Sequence, residues 1–328
     1  MDFFYSHART ALKFGLLGLG FKPGDEILLP SFICDVLLHP LADLNVTPIF
    51  YPVPDLTPDF NLVRTLIGKK TRGFLFVHYF GHSQGSIEEA VRFCGENNLY
   101  LIEDNAHGFG ASWNGRPLGS FGDIGICSPR KSLGWRNGGI LHWNHNSEFL
   151  PAYKLPVEPG RRTWLTKLPL RMLSAAMPKL RNLSRKMPDY MSFEIGREFP
   201  IASWRMDAEY VRALETLSRA EIAYQRKNIW KIWKRWCETT DLRPIFRKID
   251  LGASPLAFVA RTRSPEESQN WYSWGWRNGF RVYSWPTLPE SVIKSDPQTV
   301  RLRQALVCFS IDSTMQETTL EKRLGLAK

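Results

Sequence analysis

The 328 residues predict an α/β fold: a mostly parallel central sheet with helices on both faces, plus a small C-terminal α+β domain. Three observations predict it. Over the first 145 residues strand-like and helical stretches alternate, the pattern of parallel strands joined by crossover helices. The strand runs are apolar almost throughout, as strands covered on both faces must be. After a break, one long helical pattern leads into a short mixed unit.

The strand runs are 26–30, 46–51, 73–79, 99–103 and 123–127. Helical stretches lie between most of them, at 8–20, 34–44, 60–67 and 86–97. The first is closed by Gly20-Phe21-Lys22-Pro23-Gly24, a stop that no helix continues through. Residues 146–200 lose the rhythm and are rich in Pro, Arg and Met. From Trp204 to about Trp236 the pattern turns helical, with Met206, Tyr210, Leu214, Leu217 and Ile222 on one face. Beyond it, strands are expected at 256–260, 280–283 and 305–310 and helices at 265–276 and 315–324. These boundaries divide the chain into a large domain, 1–215, carrying a basic Pro/Arg-rich insertion at about 146–200, and a small domain, 216–328.

Composition narrows the function classes. Aromatic content of 13% and charge of 23% suit a sizeable packed core rather than a disordered chain. No apolar run approaches about 18 residues, which excludes a membrane-spanning helix, and Met1-Asp2-Phe3-Phe4-Tyr5 lacks the basic start of a signal peptide. The five cysteines are odd in number, widely spaced and without a CxxC pair, a pattern of buried thiols in a reducing cytoplasm rather than of disulfides or zinc. The net charge of +11 is local. Residues 159–188 hold eight basic and no acidic residues, and without them the net charge is +3. No RNP, zinc-finger or helix-turn-helix signature is present, and the rings Trp271, Tyr272, Trp274 and Trp276 fall in an expected helix, so no nucleic-acid partner is expected.

In parallel sheets ligands collect beyond the C-terminal strand ends, which draws attention to residues 100–140. There Leu99-Tyr100-Leu101-Ile102-Glu103-Asp104 ends in two carboxylates, Gly119-Ser120-Phe121-Gly122-Asp123 turns into the next strand, and Cys127-Ser128-Pro129-Arg130-Lys131 follows it, before Gly138-Gly139. A carboxylate and a lysine meeting across one rim can hold a pyridoxal ring, the amine forming the imine and the acid keeping the ring nitrogen protonated. Spacing alone leaves other roles open: strand-end aspartates cap helices or form ion pairs, and lone lysines are solvated. His78 and His82, after their strand, are equally readable as ordinary hydrogen-bonded loop histidines.

The chain resembles the DegT/DnrJ/EryC1/StrS family of pyridoxal-phosphate-dependent sugar aminotransferases. The resemblance is carried by Thr10-Ala11-Leu12, Gly24-Asp25-Glu26-Ile27-Leu28-Leu29-Pro30-Ser31, Val77-His78-Tyr79-Phe80-Gly81, Ile102 through Ala111, Gly119 through Asp123, Ser128, Lys131 and Gly138-Gly139. It implies the type I fold of these enzymes, pyridoxal 5'-phosphate as cofactor, a homodimer, and transfer of an amino group from an amino acid, glutamate, to a nucleotide-linked keto-sugar. Lys131 falls on the Schiff-base lysine and Asp104 on the partner of the pyridinium nitrogen. His107 stands beside the ring. Ser128, with Arg9 and Thr10 at the start of the first helix, falls on the phosphate site, where a helix N-terminus offers free amides.

The chain departs from the family pattern at several of these positions. Ser128 and Lys131 are three residues apart where the family has five. The small phosphate turn reads Ala8-Arg9-Thr10. Cys34 stands near the position of the stacking ring, leaving Phe32 as the nearest aromatic residue. Ser203 replaces the asparagine that in the family reaches the neighbouring subunit. These departures keep a divergent role open, sugar dehydration or a non-catalytic scaffold, although dehydrating relatives carry histidine in place of the lysine. The basic stretch 161–186, interleaved with Trp164, Leu165, Leu168 and Leu173, is readable as a solvated insertion, a contact for substrate phosphates, or a peripheral contact with an anionic membrane.

Overall fold

The computed structural model describes residues 1–83, 85–148, 155–156, 203–312 and 314–326. The basic stretch 161–186, with its expected phosphate or membrane contacts, lies outside the described residues, as does most of the expected insertion at 146–200.

The first half runs β1 (Asp2–Tyr5), α1 (Ala8–Gly18), β2 (Glu26–Pro30), α2 (Leu38–Asp43), β3 (Thr47–Tyr51), α3 (Phe60–Thr65), β4 (Thr71–Val77), α4 (Ile87–Glu96) and β5 (Tyr100–Asn105). A two-strand hairpin, β6 (Ser112–Trp113) and β7 (Arg116–Pro117), precedes β8 (Ile124–Cys127), α5 (Pro129–Leu133) and β9 (Gly139–Trp143). Seven strands form the main sheet in the order β1-β9-β8-β5-β4-β2-β3. From β3 to β8 neighbours are parallel, as the alternating pattern predicts, while β9 runs antiparallel to β8 and β1 antiparallel to β9. The sequence reading missed β1 and β9. The stretch expected as one helix at 34–44 is a 3-10 turn at Asp35–Leu37 followed by the short α2; Pro40 fits there because it falls in the first turn, where no intrahelical amide bond is lost.

The second half runs α6 (Ala208–Thr216), α7 (Arg219–Cys237), β10 (Arg243–Pro244), β11 (Ala257–Arg261), α8 (Pro265–Arg277), β12 (Val282–Tyr283), α9 (Glu290–Ser295), α10 (Pro297–Gln304), β13 (Leu306–Ser310) and α11 (Glu317–Arg323). The helical pattern expected from Trp204 to Trp236 is therefore two helices. Leu217 is extended, and Ser218 starts α7 by accepting the amide of Glu221, the cap half of a Ser-x-x-Glu box legible in the sequence. Leu214 on α6 packs with Phe109, Cys127 and Met206 against the main sheet. In contrast, Trp230, Trp233 and Trp236 on α7 pack on Phe258 and Phe309 of the four-stranded sheet β10-β11-β13-β12. Trp271, Trp274 and Trp276 lie at the fringe of that core, Trp274 stacked on Trp236 at 4.9 Å. These rings serve packing. Among the described residues no helix is long and apolar enough to cross a membrane.

Candidate active site

The sheet register assembles the site. Val77 on β4, Asp104 on β5 and Ile126 on β8 occupy one row across three parallel strands. The residues that follow, His78, Ala106-His107 and Ser128, therefore emerge at one rim, where they line a cavity of about 490 Å³. The start of α1 and the short α5 complete the large-domain wall with His7, Ala8, Arg9, Arg130, Lys131 and Ser132. The opposite wall comes from the small domain: Leu256, Arg281, Tyr283, Trp285, Ser310, Ile311 and Asp312.

Asp104 and Lys131 share this space. The Asp104 carboxylate, 6% exposed, accepts the Ala106 amide at 2.8 Å. Burial raises its pKa, and this outweighs the opposing pull of the Lys131 charge, the Ala106 amide and His78. Lys131 is reached by the water of the cleft but walled by protein. Desolvation lowers its pKa against the attraction of Asp104, and the Arg130 charge lowers it further. A lysine so placed yields its proton more readily than a surface lysine, which a nucleophilic amine needs.

Part of the same cavity lining suits an anion. Helix α1 begins at His7 with no side-chain cap and no acidic residue in its first turn, so its positive end is not neutralised from within. Arg9 lines the cavity beside it, and Ser128 reaches it from β8, its hydroxyl 3.4 Å from the Gly138 carbonyl. Gly139 permits this geometry. A Cβ there would stand 2.1 Å from the His7 carbonyl carbon and 2.4 Å from the Ala8 nitrogen, so any side chain would push β9 off the start of α1. Thr10 is fully buried one residue beyond the lining, and its hydroxyl has no partner among the described residues.

His107 lies at the cavity wall, where its Nδ1 accepts the Phe80 amide at 3.2 Å. Burial holds its pKa well below the usual value, with the Lys131 charge adding to the effect, so the ring is neutral and its Nε2 carries the proton. Phe32 does not reach the cavity. It is fully buried behind the wall, edge-on to Trp285 and tilted on Tyr79, whose hydroxyl donates to the Phe32 carbonyl. The bend after β2 leaves Phe32 in the core, and Cys34 lines the cavity instead. Aromatic rings at the site are Tyr283 and Trp285, the latter 4.7 Å from His107 and T-shaped to it. The sequence reading missed both rings, along with Arg281, yet Tyr283 lies on β12, Trp285 just after it and Arg281 just before it.

Glu103, next to Asp104, points the other way. Its carboxylate takes His78 Nε2 at 2.9 Å and the amides of Gly119, Phe121 and Gly122 at 2.5, 2.8 and 3.3 Å. Burial alone would raise its pKa, but His78 and these amides outweigh it and leave the pKa lowered. This bonding accounts for the Gly119–Asp123 turn and fixes the strand that carries Asp104.

Pyridoxal phosphate fits the donors present: an uncapped helix end with an unpartnered buried hydroxyl next to it, and a buried carboxylate facing an amine. Residues 5–155 match the DegT/DnrJ/EryC1/StrS aminotransferase family. GDP-perosamine synthase of Vibrio cholerae is 29% identical over 166 residues, 48% of this chain and 45% of that protein. The enzyme of the same name from Escherichia coli O157:H7 is 31% identical over 143 residues, 42% of this chain and 39% of that protein. The matched stretch thus spans less than half the length of these curated relatives. The putative sugar aminotransferase Spr1654 of Streptococcus pneumoniae, in its PLP form, superposes with a TM-score of 0.70 at 15% identity over 99% of this chain and 85% of that one. Over residues 5–155 the chain is similar to the DegT/DnrJ/EryC1/StrS aminotransferase family, and along its length it has the fold of a solved protein described as a putative sugar aminotransferase.

Proposed function

We propose that the protein is a pyridoxal-phosphate-dependent aminotransferase that moves an amino group from glutamate to a keto-sugar carried on a nucleotide. The observation that carries this reading is the meeting of Lys131 and Asp104 in one cavity that an uncapped helix terminus also lines. The similarity to two GDP-perosamine synthases supports the sugar class. A homodimer belongs to the same reading, and the five free thiols fit a reducing cytoplasm.

When bound, pyridoxal phosphate supplies an aldehyde for amine capture and a ring that takes up an electron pair. Arg9, Thr10, Ser128 and the first amides of α1 hold the phosphate. Asp104 holds a proton on the ring nitrogen, and the dry surroundings that raise its pKa also strengthen that hydrogen bond. Lys131 Nζ would hold the cofactor through its aldehyde and, as the free amine, would be the base that moves the donor α-carbon proton. His107 keeps its ring edge against the site through the Phe80 amide. The small-domain wall, with Trp285 foremost, excludes water. Over both halves glutamate leaves as 2-oxoglutarate and the sugar carbonyl becomes an amine.

Borohydride reduction of the protein with bound pyridoxal phosphate, followed by peptide mass spectrometry, is expected to label Lys131. Lys131→Ala is expected to release 2-oxoglutarate at least about a thousandfold more slowly, the scale of a lost general base. A label elsewhere, or a Lys131→Ala variant as fast as the parent, overturns the reading. Loss of water from the sugar without 2-oxoglutarate release would turn it toward sugar dehydration.

A further inference from the structure

Arg226, on α7, is 3% exposed, and among the described residues no carboxylate lies within ion-pair distance of it. Its guanidinium binds four backbone carbonyls instead. Nε donates to Pro255 at 2.9 Å, Nη1 to Ser132 at 3.0 Å, and Nη2 to Ile311 at 2.9 Å and Leu256 at 3.4 Å. Burial lowers its pKa to about 10, with Tyr283 and Asp312 pulling it back, so it stays charged at neutral pH. A buried cation without a counter-charge is costly unless its donors are all used.

The place of these carbonyls matters. Ser132, Leu256 and Ile311 all line the cavity, the first on the large-domain wall and the others on the small-domain wall. Ser132 follows Lys131 in α5, a helix of five residues that ends at Gly134 in the left-handed region, φ 68. One turn of helix does not hold itself in water, so tertiary bonds must fix it. We propose that Arg226 is a positioning residue that clamps the Lys131 turn to the small domain, setting the lysine's place and the separation of the two cavity walls. The planar fork of five donors allows this. A lysine, with three donors on one nitrogen, cannot span carbonyls in three segments.

The inference rests on Lys131 being the cofactor lysine, and the test separates the two. In the full chain without cofactor, Arg226→Lys and Arg226→Gln are compared with Trp236→Phe, a small-domain core substitution away from the cavity that serves as a stability control. Amide exchange at 129–134 is expected to rise about tenfold or more beyond any rise in Trp236→Phe, the effect of one unpaired buried carbonyl. The rate at which added pyridoxal phosphate becomes borohydride-fixed to Lys131 is expected to fall about tenfold in Arg226→Lys and to stay near the parent rate in Trp236→Phe. Exchange at 129–134 no faster than in Trp236→Phe, or a parental fixation rate, overturns the clamp. If neither Arg226 variant folds, exchange in the parent chain decides: 129–134 must open as one unit with 255–257 and 310–312, and independent opening overturns the clamp. A parent chain that never fixes the cofactor refutes the lysine assignment and leaves the exchange comparison standing.

Discussion

The two walls of the cavity are built on different principles. On the large-domain side, the groups that can do chemistry sit at strand ends and are placed by backbone register: Asp104 shares a row with Val77 and Ile126, and Ser128 follows two residues later. On the small-domain side the wall mixes the Tyr283 and Trp285 rings with aliphatic and polar side chains, and is placed by a tryptophan-rich core and by one arginine that binds only carbonyls. A site placed by register is set by a few short-range choices. A wall placed by packing depends on the whole domain behind it. Substitutions on the first wall should therefore cost turnover, and those on the second should cost fit.

The sharpest contrast is between two acids facing the same cavity. Asp104→Asn leaves the fold but cannot keep a proton on the ring nitrogen as a carboxylate does, and turnover is expected to fall about a thousandfold. Asp312, exposed and bonded to the amide and hydroxyl of Thr314, should tolerate the same change with less than about a threefold loss. Steady-state kinetics on the two variants decide. Equal losses would break the division of labour. Trp285 tests the other wall. Its ring meets Phe32, Phe80 and His107 at 5.5, 5.2 and 4.7 Å. Trp285→Leu is expected to raise the acceptor KM about tenfold while kcat moves less, since it removes shape rather than a reacting group. A fall in kcat alone would place Trp285 with the chemistry.

Much of the first wall was legible in the sequence because its logic is local. Apolar runs locate the strands, and the residues after them form the rim; Asp104, His107, Ser128, Arg9 and Lys131 all line the cavity. Phe32 misled because the chain bends after β2 ends at Pro30, and alternation along the strand no longer tells which residue enters the core and which the cavity. The break at Leu217-Ser218 was signalled by the Ser-x-x-Glu cap but masked by apolar periodicity that continues across it. Arg226 could not be found. It sits among Lys227, Lys231, Lys234 and Arg235 on a helix whose basic residues read as a solvated face. Its burial follows from carbonyls up to 94 residues away in sequence. Trp285 is hidden similarly, by contacts between domains rather than by its neighbours.

The smallest expected effect separates the two regions by pH. Among the described residues the small-domain core around Trp233, Trp236 and Phe309 contains no buried carboxylate, whereas the main sheet buries Glu103 with its pKa lowered by His78 and the 119–122 amides. A carboxylate whose native pKa lies below its ordinary value of 4.5 contributes stability that is complete above that value. As pH falls below 4.5 the unfolded chain takes up the proton first, and the contribution is lost through the lower native pKa. Through Glu103 the thermal midpoint of the parent chain should therefore drop on going from about pH 7 to about pH 4, against the opposite contribution of Asp104, whose raised pKa relieves its burial cost as it takes up a proton. Glu103→Gln should begin lower at neutral pH, because one amide oxygen replaces a charged pair of acceptors, and should then lose about 1 kcal/mol less than the parent over the same interval. Asp2 also has a lowered pKa but is partly solvated at the sheet edge, so the variant keeps a small slope. Thermal melts of both proteins at the two pH values measure the difference. Parallel slopes would mean that Glu103 holds its turn by geometry alone, and that acid sensitivity, if present, belongs elsewhere in the main sheet.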